Sequence, residues 1–505
     1  MTSIQIFDGS NTIGGNKIYI EENSKGIFLD FGMNFKKHGI YFQEFLNWRR
    51  SRGLYDLFQL NLIPKLNIYR KDIIPSDYDV SSFPDLNINA ILLSHAHLDH
   101  FGNIGLLKPD FPIVASPITL ALIKGIIDCT KAELGSDVAY FAPRIGMDDK
   151  RLFKADSSTD IGRNLICTED IPDSLNEYLE STVKPRKKYE VGKISHLNDL
   201  PLDIEVKAFE VDHSIFGATA YLLSGENTIA YTGDFRLHGE RGWKSNEFIK
   251  KAKNASVLII EGTRTKSEEK FESEDLVYEN CLEAAENASG LIIADFSARN
   301  FERLETFKKI ASQIGRNLII TSKDAFLLNA IENADGVDRL KNLLIYGELK
   351  LTQPNWERFL NEKRDLDYID PTKISKNQDN YLLCFSFFDM KNLLDIKPDQ
   401  GTYIYSSSEA FEEESEFDFV RLNNWLKYLG FNIHGFEVIE EADRKKPIFS
   451  EGYHASGHAS KSDLINTIET IDPEVIIPVH TDNPTWFSDN FDNAVILKEN
   501  EKYTI

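Results

Sequence analysis

Three of the eleven histidines in this chain, together with an aspartate, fall in one short segment, SHAHLDH. His95 and His97 are two positions apart, so at the end of a strand their rings would lie on the same side. Asp99 and His100 follow in the next turn and can point at a second ion nearby. Neutral imidazoles and a carboxylate suit zinc, with manganese or iron as alternatives. The segment therefore predicts a metal site.

Further candidates for metal binding stand at the ends of three other apolar runs. His213 follows the run in EVDHS, Asp234 ends the run in YTGDF, and Asp30 ends the run in GIFLDFG. Each signal is weak when taken alone. A histidine after a strand is more often structural than a ligand, and an aspartate in such a place is often a simple turn residue.

The elements that must position these residues form an α/β pattern. Apolar runs bounded by turn residues predict strands over 26–32, 88–95, 111–116, 202–212, 228–234 and 255–263. From about residue 266, strands alternate with amphipathic helices, which indicates a small parallel α/β unit. A loop, a helix over 462–471 and a strand over 474–480 follow it. The candidate metal-binding residues thus lie where predicted strands end, which is a common place for active sites.

Composition narrows the function classes. With 57 basic and 80 acidic residues the net charge is −23, which excludes a histone or a simple DNA clamp. A nucleic-acid substrate stays possible, because bound cations and a local basic groove create a positive site inside a negative envelope. The four cysteines form no CxxC pair and fit a reducing compartment. Without a signal-peptide pattern or a long apolar run, we expect a cytoplasmic protein with no membrane contact.

The order of these motifs along the chain resembles the binuclear site of the metallo-β-lactamase fold. That resemblance implies two bound zinc ions, with manganese as an alternative. It also implies a set of roles: His95, His97 and His213 on one metal, Asp99 and His100 on the other, Asp234 as the bridge, and Asp30 as an outer support of the histidine loop.

Later motifs resemble those of the β-CASP nucleases, in which a second domain is inserted into the lactamase fold. The next plausible ligand, His480 in IIPVHT, comes far beyond Asp234, with the α/β unit in between. Glu261 in LIIEGT matches the acidic residue that precedes the insertion. The segment HASGHAS is similar to the HxSGHxS motif of the ribonuclease J group, which makes His458 the motif histidine and His454 a neighbour.

This resemblance implies a fold and a domain division. The fold is expected to be an α/β metallo-β-lactamase αββα sandwich with an inserted β-CASP α/β domain. The expected divisions are a first lactamase part over 1–265, the insert over 266–444, and a final lactamase part over 445–505. The resemblance also allows a homodimer.

Phosphodiester cleavage needs an activated hydroxide and a proton for the leaving oxygen. The expected hydroxide source is the pair of metals, with Asp99 counted as catalytic as well as a ligand. His458 is the expected proton donor, and Glu261 is expected to orient it. Small residues before the next helix let the backbone approach a phosphate, which selects Ser456, Gly457 and Ala459 as phosphate-binding positions.

Single-stranded RNA is the expected substrate, lying between the two domains. Strand-end loops of the insert offer it backbone N–H groups and cations, so the candidates there are Ser297, Arg299, Ser322 and Lys323. RNA-directed members of the resembled group carry histidine at the position of His480, whereas DNA-directed members often carry valine.

Three other functions stay open at this point. One is a DNA nuclease of the Artemis type, which would use the same metals and acid. Another is a catalytically silent scaffold in a processing complex, although all seven expected ligands are present. The third is a small-molecule hydrolase or oxygen-reducing protein of the lactamase fold. Whether cleavage would be exonucleolytic, endonucleolytic or both is also open.

Overall fold

The structure is a computed structural model, and it describes residues 1–43, 45–131, 133–266, 273–297, 299–407, 413–441 and 444–505. For 413–417 and 444 it describes the backbone alone.

The first sheet has eight strands and carries the histidine segment. Its middle strands run parallel, and the strand before the histidines, Ile88–Leu92, lies near its centre. In spatial order the strands are Ile194–His196, Leu165–Cys167, Ile113–Ala115, Ile88–Leu92, Lys25–Leu29, Lys17–Glu22, Thr2–Asp8 and Lys502–Thr504.

The second sheet has five strands and brings distant parts of the sequence together. Its last two strands pair in parallel, although the whole insert separates them in the chain. In spatial order they are Glu205–Glu210, Thr219–Ser224, Thr228–Tyr231, Val257–Glu261 and Val475–Val479.

The two sheets pack face to face between helices. Because successive strand residues point to opposite faces, each strand supplies two layers of apolar contact. The inner faces share one buried cluster that includes Ile4, Leu92 and Ile259. Outer faces are covered by Pro117–Cys129 on the first sheet, and by Gly242–Lys251 and Lys461–Ile471 on the second. The architecture is an αββα sandwich, as the resemblance to the metallo-β-lactamase fold implies.

The insert is a parallel α/β layer that enters the chain between the last two strands of the second sheet. Its seven strands are, in spatial order, Tyr368–Ile369, Leu344–Tyr346, Asn317–Ile320, Tyr381–Cys384, Leu291–Asp295, Gly401–Tyr405 and Phe431–His434. Its helices are Glu274–Glu286, Phe301–Gln313, Ser322–Asp335, Asn355–Lys363, Pro371–Lys376, Leu393–Ile396 and Glu413–Tyr428.

One pair of helices packs the insert onto the sandwich. Pro117–Cys129 of the sandwich lies against Ser322–Asp335 of the insert. Gly125 sits in this contact, where a Cβ atom would come within 3.0 Å of Leu327 and 3.3 Å of Ala330. The missing side chain therefore allows the two helices to approach closely.

The strands and helices predicted from apolar patterning are confirmed, with ends that shift by a few residues. The patterning missed many strands. They include the two N-terminal strands, the C-terminal strand, a hairpin over 144–155 and the hairpin of Phe436–Glu441 with Arg444–Phe449. Also missed were Leu165–Cys167, Ile194–His196, Thr219–Ser224, Leu344–Tyr346, Tyr368–Ile369, Phe431–His434 and a small sheet of Lys188–Glu190, Thr159–Gly162 and Tyr140–Phe141. Other helices are Phe35–Gly39, Tyr55–Gln59, Leu98–Phe101, Asp173–Glu180 and Thr485–Asn490. The domain boundaries at 265 and 445 stay predictions. Among the described residues, no helix is long and apolar enough to cross a bilayer.

Candidate binuclear metal site

Three histidines meet on one side of the site. The strand of the first sheet ends at Leu92, so the loop beyond it, rather than the strand pleat, sets the directions of His95 and His97. His95 Nε2 lies 3.0 Å from His97 Nδ1, and His213 Nε2 lies 3.2 Å from the same atom. The ligand atoms of the three rings all lie within 4.8 Å of one another, as a shared cation requires.

A second group of four possible ligands lies beside the first. It contains Asp99, His100, Asp234 and His480. His480 Nε2 is 3.1 Å from Asp99 Oδ2, and His100 Nε2 is 3.0 Å from Asp234 Oδ2. The site thus has the donor set of a second cation, made of two imidazoles and two carboxylates.

The Asp234 carboxylate lies between the two groups. Its Oδ2 atom is 3.6 Å from His95 Nε2 and 4.0 Å from His213 Nε2 in the first group. In the second group it is 3.7 Å from His480 Nε2. This is the position that a bridging carboxylate needs, and the bridging role stays a prediction.

Two buried atoms at the centre fit a bound metal. His100 Nε2 and Asp234 Oδ1 are buried and make no well-aligned hydrogen bond within the part of the chain that the structure describes, although His100 Nε2 lies 3.0 Å from Asp234 Oδ2. Such atoms are costly to bury unless something satisfies them. A divalent cation coordinated by them would do so, and the imidazole and carboxylate donors suit one.

The charges of the site are also those that a bound metal ion would require. Burial, reinforced by the neighbouring imidazoles, holds the pKa of His95 and of His97 well below the usual histidine value, so both rings are neutral donors. At His100 the carboxylates of Asp234, Asp99 and Asp30 outweigh burial and raise the pKa well above that value. The carboxylates therefore require a positive charge here, and a metal ion would supply it in place of the proton.

Asp30 lies behind the histidine loop, where the sequence predicts it. Its carboxylate accepts hydrogen bonds from the Ser94 N–H and hydroxyl at 2.7 and 2.8 Å, and from the Tyr231 hydroxyl at 2.6 Å. His100 Nδ1 lies 2.8 Å from it, which directs Nε2 of that ring toward the centre. Ser94 and Tyr231 were not singled out from the sequence, because nothing in the local pattern distinguishes them.

Two other rings are oriented in the same way. His213 Nδ1 donates to the Gly457 carbonyl at 2.6 Å, and His480 Nδ1 lies 2.9 Å from the Thr263 hydroxyl. Each contact leaves Nε2 facing the site. Sequence reasoning missed Thr263, whose only signal is its place two residues after Glu261.

The partly buried His458 and the buried Glu261 form a pair next to the candidate metal ligands. His458 Nδ1 lies 3.0 and 3.2 Å from the two oxygens of Glu261. Burial alone would lower the pKa of His458, but the charges of Glu261 and Asp234 raise it to about 9. The ring is therefore protonated at neutral pH, with Glu261 accepting from Nδ1 and Nε2–H left to donate.

The segment before the helix Lys461–Ile471 is more enclosed than the sequence suggests. The Ser456 hydroxyl accepts the His458 N–H at 3.1 Å. At Gly457 a Cβ atom would lie 2.8 Å from the Ser214 hydroxyl oxygen, so the close approach to His213 requires glycine. Ala459 is buried against the outer face of the second sheet. The predicted phosphate-binding role of these three positions stays a prediction.

The four insert residues predicted to contact RNA come together in one cleft of about 610 Å³ between the insert and the sandwich. Arg299 donates to the Ala96 carbonyl at 3.0 Å, which places it beside the metal ligands. The Ser297 hydroxyl lies 2.6 Å from that of Ser407. Ser322 and Lys323 line the same cleft at the start of an insert helix.

Comparison with known proteins agrees with this geometry. Residues 72–126 match the metallo-beta-lactamase superfamily, and residues 451–486 match the Zn-dependent metallo-hydrolase RNA specificity domain. Ribonuclease J of Pyrococcus abyssi is 24% identical over 95% of this chain and 90% of its own length. Ribonuclease J of Methanocaldococcus jannaschii is 24% identical over 94% of this chain and 90% of its own length.

The chain is similar to ribonuclease J over nearly its whole length. The resemblance to the β-CASP nucleases that the motifs predict is therefore confirmed. A crystal structure of a protein of unknown function from Enterococcus faecalis V583 superposes with a TM-score of 0.66 over 100% of both chains, at 21% identity. That likeness concerns the fold, and it extends through the insert of this ribonuclease J-like chain.

Proposed function

We propose that this protein is a metal-dependent ribonuclease that cleaves phosphodiester bonds, as an exonuclease, an endonuclease or both. The observation that carries the proposal is the hydrogen-bonded His458–Glu261 pair next to seven convergent candidate ligands. The similarity to proteins named ribonuclease J and to an RNA specificity domain supports RNA as the substrate.

Two zinc ions are the proposed cofactors, with manganese as the alternative. One would be held by His95, His97 and His213, and the other by Asp99, His100 and His480, with Asp234 between them. Bound ions would supply the charge that generates a hydroxide near neutral pH and stabilises the negative phosphate.

The protein's own groups account for the proton transfer. Hydrolysis places a hydroxyl on phosphorus and breaks the bond between phosphorus and the leaving oxygen, which then needs a proton. His458 would donate it from Nε2, while Glu261 holds Nδ1 and stabilises the charged ring before transfer. Afterwards the ring regains a proton from solvent.

Single-stranded RNA would follow the cleft between the insert and the sandwich. Arg299, Lys323, Lys350 and Lys391 line it. Asp324, Glu348 and Asp389 line the same cleft, so its basic residues exceed its acidic ones by one, in a molecule whose net charge is −23. Phosphate contacts with such residues position a strand without reading its sequence. A cytoplasmic location and a homodimer stay predictions from the sequence.

The proposal is tested by cleavage of matched RNA and DNA oligonucleotides by protein loaded with zinc or with manganese. We expect RNA to be cleaved faster, with 5′-monophosphate and 5′-triphosphate ends compared in parallel. A clear preference for DNA would favour the Artemis-type alternative. Activity confined to a thioester or lactone would point to a small-molecule hydrolase instead.

A further inference from the structure

A fully buried arginine lies just beyond the metal ligands and takes no part in the mechanism above. Arg236 is two residues after Asp234 and is inaccessible to solvent. Its guanidinium contacts three carboxylates, Asp212 at 3.2 Å, Glu274 at 2.8 Å and Glu302 at 3.0 Å. Asp212 precedes the ligand His213, whereas the two glutamates belong to helices of the insert. A buried charge of this kind is retained only when it is well paired.

The same guanidinium reaches the segment that carries His458. Arg236 Nη1 donates to the Ser456 carbonyl at 3.2 Å, and His238 Nε2 donates to the same oxygen at 2.9 Å. The Ser456 hydroxyl in turn accepts the backbone N–H of His458. Two side chains from the segment after Asp234 thus fix the carbonyl two residues before the proposed proton donor.

The contacts continue into the insert and return to the same loop. Glu274 bridges Arg236 to Arg303, whose Nη2 lies 2.8 Å from it. Arg303 Nη1 donates to the Ser406 carbonyl at 2.6 Å, and the Ser406 hydroxyl donates to the Tyr453 carbonyl at 2.7 Å. The loop that carries His458 is therefore held at Tyr453 as well as at Ser456.

We propose that Arg236, assisted by His238, is a positioning residue that sets the His458 ring for proton donation and ties that setting to the docked insert. The inference rests on the proposed function, because it concerns the same acid. The loop 450–460 has neither helix nor strand hydrogen bonds, so side chains must fix it. A planar guanidinium, whose N–H donors point in fixed directions, is suited to holding such a loop in one position. A misplacement of about 1 Å can cost roughly 100-fold in rate.

The test compares two substrates that differ in their need for an acid. Cleavage of an RNA oligonucleotide releases a ribose alkoxide, which needs a proton. Cleavage of bis(p-nitrophenyl) phosphate releases p-nitrophenolate, which is stable without one. We expect Arg236→Met and His238→Ala to lose about 10- to 100-fold in kcat on RNA while staying within about twofold on the aryl ester. Zinc content and RNA affinity should stay unchanged, and Arg236→Lys should recover part of the loss.

Arg70→Met is the matched control. Arg70 is equally buried, pairs with Asp72 at 2.6 Å, and donates its other hydrogen bonds to the Gly105 and Ala142 carbonyls rather than to the His458 loop. This variant should lower thermal stability and leave the ratio of the two rates unchanged. If Arg236→Met does not fold, the same ratio of rates is measured for His238→Ala and Arg236→Lys, and these two variants then test the inference.

Equal losses on both substrates, loss of zinc, or unchanged kcat on RNA in the folded variants would overturn the inference. Failure of the natural protein to cleave RNA would instead overturn the proposed function. The positioning role would then be tested by comparing the rates of hydrolysis of bis(p-nitrophenyl) phosphate and diphenyl phosphate. Diphenyl phosphate releases the more basic phenolate, so its cleavage depends more on a proton donor.

Discussion

At the scale of single residues, proton donation and metal binding are assigned to different histidines, although His458 and His480 have ring centroids only 5.6 Å apart. His458 pairs with a carboxylate through Nδ1, whereas His480 takes a hydroxyl there and aims Nε2 at Asp99. The short distance does not distinguish the two roles, so the assignment rests on the different partners of the two rings and stays a prediction.

The first prediction concerns these two histidines. His458→Ala should keep both metals and bind RNA, yet lose roughly 10²–10⁴-fold in rate, the usual contribution of a positioned acid. His480→Ala should instead lose affinity for the second metal. Metal analysis and single-turnover cleavage check both variants. If His458→Ala lost metal while His480→Ala kept two, the two assignments would be exchanged.

The second prediction concerns Asp234. Asp234→Asn keeps the size of the side chain but removes the negative charge that would balance two cations. Elemental analysis of protein purified without chelator should show about two metals per chain for the natural protein and fewer for the variant. Full double occupancy with normal activity in Asp234→Asn would contradict the bridging role.

At the scale of elements, strand ends and the loops after them place most of the chemistry. The loop after Leu291–Asp295 carries Arg299 with φ of +72° and directs its guanidinium back to the histidine loop of the sandwich. This cation sits where the insert meets the metal site, so it is well placed to contact an RNA phosphate next to the bond to be cleaved.

Arg299→Ala should therefore weaken RNA binding and reduce the slope of log affinity against log salt by about 1. Arg421→Ala, on a half-exposed side chain of the helix Glu413–Tyr428, is the control and should leave both quantities unchanged. Metal content is measured in parallel because Arg299 touches the Ala96 carbonyl. An unchanged salt slope would remove Arg299 from the RNA path.

At the scale of the whole molecule, the metal site lies where the two sheets and the insert meet. Its candidate ligands follow strands of the first sheet and of the second sheet, and His480 follows the second-sheet strand that comes after the insert. Any ligand that binds the folded state alone stabilises it, by about 2.7 kcal/mol at one hundred times its dissociation constant. Bound metals should therefore stabilise the association of the two sheets, and with it that of the chain segments before and after the insert.

Removal of metal by a chelator should abolish cleavage and lower the unfolding temperature by several degrees, and added zinc should restore both. Calorimetry at fixed protein concentration measures the shift. Asp234→Asn should show a smaller shift than the natural protein, because it starts with less metal. A chelator that stops cleavage without changing the unfolding temperature would show that the metals contribute little to the fold.

The sequence by itself determined what short-range patterns can encode. The spacing of His95, His97, Asp99 and His100 specified a metal segment because neighbours in sequence are neighbours in space. Apolar runs specified the strands, since burial of one or both faces leaves a period in the sequence. The motif around His458 indicated the acid through a resemblance that the comparisons with ribonuclease J support.

Only the tertiary structure decided which distant residues meet. Glu261 stands opposite Val479 in the second sheet, so strand pairing places it beside His480 and within reach of His458. Nothing local encodes that register, because it depends on the insert closing back onto the sandwich. The burial of Arg236 among carboxylates from three parts of the chain likewise has no signal in its own neighbourhood. Such contacts arise from packing, and packing is a property of the whole fold.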